Sequence, residues 1–506
     1  MRIDSLIYGD GPTRSFWAYY GGIQTRVHHR RWWQRARDVK GALRDTSSTI
    51  GAMVADRIRG ERQGRRDMVS STNPPLPLRP FFFISRIRYP APPSGNPPLT
   101  PLYDSLSTNI PIPVMAFPSF SFPPETSPFP PASVVHKYLE DYAAHFDLLR
   151  YVRLCTRVDK IFWDSGSRKW DVTLSTGEEL EFDFVVVANG HYRKPRYPDT
   201  PGLQSWLDSG RAIHSAWFRR PDQFAHHRKI LLVGGGPSSV DLCTDMIGVI
   251  PLLLHSLPES KRDSNTHLDD TENYRKVVRV AEYRDDGSIL LVDGSTESNI
   301  DCVILATGYE ISFPFLSQIK RGLPSLPPPL PSELLNSTHH VFPLAYQLFP
   351  LQGDFPPTSI AFTGLLYSVA PFPIFEAQAR AIAQVLENPG SLDTLSCAVD
   401  IMSRAHGLMR EEGIDDPLRM AKRWSRLAVP EHSVYRAQLL AFSGEIWTVP
   451  DRELECWNKK EAIRREWRAI ERSGKAGEWL KGVGANGPED WLELCLKIVK
   501  GSEPKL

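Results

Sequence analysis

Apolar residues recur at helical spacing from Ala132 to Phe146, where Val135, Tyr138, Leu139 and Tyr142 share a face and Ser133 stands as a candidate N-cap. The period then shortens. Val152–Val158 and Trp170–Leu174 alternate as strands do, and Phe182–Ala188 is a continuous β-branched run of the kind buried on both faces of a parallel sheet. A second block of this type begins at Lys229–Val233, passes through a glycine-rich turn into a helix, includes the apolar strand Pro251–His255 and ends near Thr307. Beyond Asn388 the pattern is mainly helical, and the mixed charges of Glu453–Leu480 predict a solvated helical face.

Upstream the pattern is different. Residues 1–88 hold seventeen Arg/Lys against seven Asp/Glu and sustain neither helical nor strand period, so they predict an atypical, poorly ordered segment. An organelle transit peptide or a nucleic-acid arm is a weaker reading of the same arginines. Asn73–Pro131 is rich in proline, yet Met115–Pro123 interleaves aromatic residues and is too apolar for a free linker; it predicts a loop clamped against a domain.

Composition narrows the class. A chain of 506 residues is long enough for two or three cores, and 41% hydrophobic with 24% charged residues suits a globular protein. The net charge of +1 gives no general case for nucleic acid or a membrane surface. Six cysteines (Cys155, Cys243, Cys302, Cys397, Cys456, Cys495) are scattered without a C-x-x-C pair, which argues against a disulfide framework, a structural zinc or a redox dithiol. The most apolar run, Ile247–Leu257, is too short to span a bilayer and carries Pro251 and His255. No transmembrane segment and a cytosolic location are therefore expected.

The strongest motif follows Lys229–Val233. Gly234-Gly235-Gly236-Pro237-Ser238-Ser239-Val240-Asp241 is a G-x-G-x-x-S turn between a buried strand and a helix. Gly234 permits the tight turn, Gly236 lets a pyrophosphate approach the backbone, and the helix N-terminus offers free N–H groups and positive dipole. Ser239 replaces the third glycine and is small enough for helix–strand packing. The same turn could also exist without a ligand.

Flanking motifs decide between these. Val186-Val-Ala-Asn-Gly190-His-Tyr192, Gly202-Leu203, a G-x-x-x-H-x-x-x-F string on Gly210, His214 and Phe218, and Ile304-Leu-Ala-Thr307-Gly308-Tyr309 occur in order around the turn. Leu102–Asn109 precedes them; Phe362-Thr-Gly-Leu365 and Pro371–Arg380, which contains Gln378, follow. In these residues the chain, from about Tyr89 onward, resembles the flavin-containing monooxygenase family. Two departures stand out: Asp208 occupies the place of the family's opening aromatic, and Phe218 fits the nitrogen- and sulfur-oxidising class better than the Baeyer–Villiger class.

The resemblance implies an α/β fold of two Rossmann-like dinucleotide-binding domains, the nicotinamide domain inserted into the flavin domain, with a helical C-terminal region. The implied boundaries are 89–198 and 306–390 for the two flavin parts, 199–305 for the NADPH domain and 391–506 for the helices. It implies FAD and NADPH as cofactors, O₂ as co-substrate and a small amine or sulfide as substrate. NADPH would be held by Gly234, Gly236, Pro237, Ser238, Ser239 and Asp241. Gly190, His214, Thr307, Gly308 and Gln378 would line the cofactor cleft, with His214 positional and not a general base. Asn109 would be the catalytic residue, its amide beside the flavin, although an Asn before Pro111 also suits a turn. The strand Pro251–His255 ends without an acidic residue, so Ser256, Lys261 and Arg262 are candidates for the 2′-phosphate of NADPH; the two cations could equally belong to a solvated loop.

One element of the family is missing. Near the N-terminus only Ser5-Leu-Ile-Tyr-Gly9-Asp-Gly11-Pro12-Thr-Arg14 approaches a flavin phosphate turn, and Arg14 stands where helix–strand packing leaves room for glycine. Residues 1–88 are accordingly not expected to build a native flavin lobe, and the flavin sheet is expected to lack its central strand. A nicotinamide-binding relic without flavin is the alternative function; a Baeyer–Villiger oxygenase is a further one, disfavoured by Phe218.

Overall fold

In the computed structural model the described residues are 98, 100–259, 268–326, 329–427 and 429–500, together with the backbone of short strands at 2–3, 5–8 and 27–28. Chain order introduces the elements that position the site. They are β1 (Ser5–Tyr8), α1 (Ala132–His145), β2 (Phe184–Val187), β3 (Ala212–His214), β4 (Lys229–Val233), α2 (Pro237–Met246), β5 (Leu252–Ser256), β6 (Tyr274–Val277), β7 (Cys302–Leu305), β8 (Ile360–Phe362) and α3 (Pro371–Glu387).

The inserted lobe is a five-stranded sheet in the order β6-β5-β4-β7-β3, every neighbouring pair parallel. Its strands are apolar without alternation because helices and loops cover both faces: Ile230, Leu231 and Leu232 are all fully buried. The enclosing lobe has a parallel sheet in the order β1-β2-β8, and an antiparallel meander of Val158–Asp164, Lys169–Leu174 and Glu179–Phe182 packs beside it. Trp170 fastens the meander to the sheet by donating its Nε1–H to Ser359 O at 2.9 Å. This is the inserted two-lobe architecture that the resemblance implied.

Several expectations are corrected by the structure. Ser5–Tyr8 lies in parallel register on Phe184–Val187, Ser5 opposite Phe184 and Tyr8 opposite Val187, so the flavin sheet does have a strand beside β2. Leu6-Ile7-Tyr8 carries enough apolar and β-forming character to pair there, whatever follows it. The turn from Gly9 to Arg14, and the rest of the segment expected to be atypical, lie outside the described residues apart from the short strands.

The run Phe182–Ala188 splits at Asp183. Phe182 closes the meander and Phe184 opens β2, because a carboxylate cannot sit in a strand covered on both faces. Val152–Arg157 forms no strand; pairing starts at Val158. Helix α1 is capped by Pro131 and not by Ser133.

The C-terminal region departs furthest from its pattern. Glu453–Leu480 falls into three helices, Asp451–Asn458, Lys460–Arg472 and Ala476–Leu480, and is not a solvated face. Trp457, Ile463 and Trp467 are buried against Glu489–Lys500 and the segment Ile110–Phe129. That segment holds Met115, Phe117 and Phe122 in the core, as the clamped-loop reading required. Tyr138 stacks on Phe122 at 3.8 Å between centroids and accepts from Phe117 N–H at 2.9 Å. Among the described residues, no helix is long and apolar enough to cross a membrane.

Trp467 tests this packing. It is fully buried and donates its Nε1–H to Ser127 Oγ at 2.9 Å, 340 residues away in sequence. Trp467→Ala is expected to lower unfolding free energy by about 3–5 kcal/mol. Arg465→Ala, at an exposed position on the same helix, should change it by less than about 0.5 kcal/mol. Urea titration of both variants checks the pair, and equal midpoints would sink the buried assignment.

Candidate cofactor site

Strand β4 carries the chain into the glycine turn, and the turn is pressed against its neighbours. Gly234 has φ +140°, and a Cβ there would lie 2.3 Å from Ala306 O. Only glycine fits that approach. The Gly234 N–H donates to Ser256 O at 3.1 Å. Its carbonyl receives a hydrogen bond from His255 Nε2 at 2.7 Å, and His255 Nδ1 in turn accepts from the Tyr274 hydroxyl at 2.8 Å. A carbonyl can only accept, so the proton sits on Nε2. Burial pushes the His255 pKa down to about 4, which keeps the ring neutral.

Beyond the turn, Gly236 is the N-cap of α2 and Pro237 fixes its first helical position. A Cβ on Gly236 would meet no protein atom within 4 Å, so the backbone faces open space here. Ser239, fully buried, closes the first turn by donating its hydroxyl to Gly236 O at 2.7 Å. Ser238 is exposed at the helix N-terminus. Open backbone at Gly236, the N-terminus of a ten-residue helix and the exposed Ser238 hydroxyl fit the pyrophosphate of a dinucleotide.

The other expected residues distribute around this cradle. The Thr307 hydroxyl donates to Arg196 O at 2.5 Å, and Gly308 O accepts from His214 Nε2 at 3.0 Å. His214 is fully buried, its Nδ1 accepts from Ala216 N–H at 3.1 Å, and burial lowers its pKa to about 4. It holds the turn and has no basic nitrogen to spare. Asp241 is engaged on both oxygens: the Tyr103 hydroxyl donates to one at 2.7 Å, and Arg464 lies 3.4 Å from the other. Ser105 also bonds Asp245 on α2. These ties hang the segment Leu102–Asn109 from the nicotinamide lobe and leave the Asn109 side chain exposed in a bend.

Two of the expected residues are engaged inside the fold. Ser256 is buried, and its hydroxyl donates to Val278 O at 3.0 Å. Gln378 on α3 is fully buried: its Oε1 accepts from Thr363 Oγ1 at 2.7 Å and Gly364 N–H at 3.1 Å, and its Nε2 donates to Tyr435 at 2.9 Å. It positions the turn after β8 and does not itself face a cleft. Lys261 and Arg262 lie outside the described residues. Gly190, with φ +70°, lies three residues beyond β2 and precedes His191, which stacks on Tyr367 at 4.5 Å.

The flavin lobe offers the carboxyl ends of β1, β2 and β8 at one edge, where open α/β sheets take ligands. Sequence reasoning missed His255, Tyr274 and the Tyr103–Asp241–Arg464 contact. A histidine closing the run Leu252–Leu254 was the available signal for the first; the others depend on residues brought together only by folding.

Comparison with known proteins agrees with this geometry. The sequence model described as flavin-binding monooxygenase-like matches residues 95–253 and 275–414. Flavin-containing monooxygenase FMO GS-OX-like 2 of Arabidopsis thaliana is 33% identical over 305 residues, which are 58% of this chain and 62% of that protein. Flavin-containing monooxygenase ustF2 of Aspergillus flavus is 29% identical, over 59% of this chain and 64% of its own. The chain thus spans about three-fifths of the length of these curated relatives. Among solved structures, S-allyl-L-cysteine S-oxygenase from Allium sativum superposes with a TM-score of 0.59 at 25% identity, over 75% of this chain and 84% of that one.

The His255 bridge predicts a binding defect without loss of fold. His255→Ala leaves the Gly234 carbonyl without its donor and should weaken NADP⁺ binding by about tenfold. His255→Gln, which can still donate to that carbonyl, should recover most of the loss. Calorimetric titration with NADP⁺ reads both, and unchanged affinity in the alanine variant would rule the positioning role out.

Proposed function

We propose that this chain, which belongs to the flavin-binding monooxygenase-like family, is an FAD- and NADPH-dependent monooxygenase that oxygenates a nucleophilic sulfur or nitrogen of a small molecule. The balance for a sulfide is substrate, NADPH, H⁺ and O₂ giving sulfoxide, NADP⁺ and water. The single observation that carries the reading is the open Gly234–Ser239 cradle, held by His255 and abutting the turn that leads back into the second lobe. The S-oxygenase from Allium sativum favours sulfur, and Phe218, buried edge-on to Tyr103 at 6.0 Å, keeps the aromatic that suits nitrogen and sulfur oxidation.

FAD and NADPH, when bound, supply hydride transfer and the activation of O₂. The chain supplies placement. The first turn of α2 and Ser238 bind the nicotinamide cofactor's phosphates through N–H and O–H donors. His255 fixes the turn that presents them, and neutral His214 fixes Gly308 where the chain crosses between lobes. Gln378 fixes Thr363 and Gly364 at the end of β8. The Asn109 amide is exposed and has no hydrogen-bond partner among the described residues, which suits it as a donor to the flavin. Tyr103 and Ser105 anchor its segment to Asp241 and Asp245 on the same helix that holds the phosphates, which ties the two cofactor sites mechanically.

The second reading, a nicotinamide-binding protein without flavin, is favoured by Arg14 at the third position of the only N-terminal phosphate-turn string. One experiment separates them. Protein incubated with FAD and desalted should show flavin bands in the blue and near-ultraviolet that NADPH bleaches, and should convert methyl phenyl sulfide to its sulfoxide. Asn109→Ala should keep the bleaching and lose about 10²-fold in sulfoxide formation. Protein that retains no flavin but still binds NADP⁺ would falsify the oxygenase reading and establish the second.

A further inference from the structure

Beside the Thr307 turn, on the side of the lobe crossing, lies a cavity of about 380 Å³ that shares only Thr307 with the cofactor residues named above. Its walls come from four separate stretches: the chain after Pro195, the Thr307 turn, the Ser337–His339 loop and the helix Pro417–Trp424. The volume is that of a small-molecule site.

Its charge is one-sided. Arg196, Lys422 and His339 line it. Arg196 is held by three bonds to the protein, to Thr338 Oγ1 at 3.0 Å, Thr338 O at 2.7 Å and Tyr309 O at 3.1 Å, all neutral acceptors. Among the described residues, no carboxylate lies within ion-pair distance of Arg196, Lys422 or the neighbouring Arg426. The nearby acid, Glu310, is engaged by Lys194 at 2.8 Å and Arg321 at 3.8 Å. Burial first, then Arg196, Lys422 and Arg426, push the His339 pKa down to about 4, with Glu310 opposing them. Clustered cations around a concave, partly apolar surface focus that field on whatever enters.

The same cavity has an apolar part. Tyr197 and Leu418 are 39% and 38% exposed at the cavity, unusual for large apolar side chains with a concave surface between them. We propose that this cavity binds a small organic anion, a carboxylate carrying a short apolar body, with its head between Arg196 and Lys422 and its body on Tyr197 and Leu418. A planar guanidinium and a primary ammonium facing one space suit a carboxylate's two oxygens. The site rests on these residues alone and stands whether or not the chain holds flavin.

Calorimetric titration of the full-length protein with hexanoate at low ionic strength tests it, with and without added FAD. The expected result is saturable one-to-one binding, while hexylammonium gives none. Lys422→Glu should weaken hexanoate about tenfold or more. Arg419→Glu, about one helical turn before Lys422, paired with Asp415 and outside the cavity, should leave it unchanged. Lys422 is exposed, so its variant is expected to fold, and Tyr197→Ala provides a second probe that should weaken hexanoate through its apolar end. No saturable heat up to tens of millimolar, equal binding by the Lys422→Glu protein, or inorganic phosphate binding as tightly as hexanoate would each overturn the assignment.

Discussion

The contact between Gly234 and Ala306 sets the geometry of the whole inserted lobe. A side chain at position 234 would stand 2.3 Å from the Ala306 carbonyl oxygen, so the turn after β4 and the exit from β7 can touch only because one of them is glycine. The central residues of β4 and all of β7 are buried, and the two strands are in parallel register, Ile230 opposite Cys302 and Val233 opposite Leu305. Neither end can move aside. The phosphate cradle and the Thr307–Gly308 crossing therefore occupy one rigid unit, and His214 and His255 each fasten one of its carbonyls from a different strand.

A second set of ties joins this unit to the rest of the chain. Asp241 lies one helical turn from the start of α2 and meets Tyr103 from the N-terminal side and Arg464 from the C-terminal helices. Arg219 reinforces the first of these, giving its guanidinium to Thr100 O at 2.8 Å and its carbonyl to Asp104 N–H at 2.9 Å. The helix that receives phosphate is thus also the helix that positions the segment bearing Asn109. An acidic residue in that place serves assembly, through a hydrogen bond from Tyr103 and an ion pair with Arg464 that offsets its charge beside the cradle.

Legibility followed the range of the interaction. The α/β class, the inserted lobe and the glycine turn were readable because each is written in contiguous residues: a buried strand, three glycines, a capped helix. Ser239 as a packing substitute for glycine was readable from size alone, and the structure shows why, since its hydroxyl folds back onto Gly236. For Ser256 and Gln378 the motif gives the position along the chain but not which way the side chain turns, and both hydrogen-bond inside the fold. The Glu453–Leu480 helices misled for a related reason. Their charges outnumber their apolar residues, yet Trp457, Ile463 and Trp467 are enough to bury one face of the first two helices.

The short strand Ser5–Tyr8 shows that sheet membership and cofactor binding make separate demands. Pairing with β2 needs only β-forming, apolar residues in register, and Leu6-Ile7-Tyr8 supplies them opposite Val185–Val187. Holding a pyrophosphate needs more: a turn tight enough to bring backbone N–H groups to the anion and a small residue where helix crosses strand. The inserted lobe meets the second demand with Ser239 in the third position, buried and hydrogen-bonded. Arginine at position 14 is several times larger and carries a charge that burial against a strand would strand without water. The same sheet topology can therefore persist on the strength of four strand residues while flavin affinity is decided by the turn that follows, and the two properties can be lost independently.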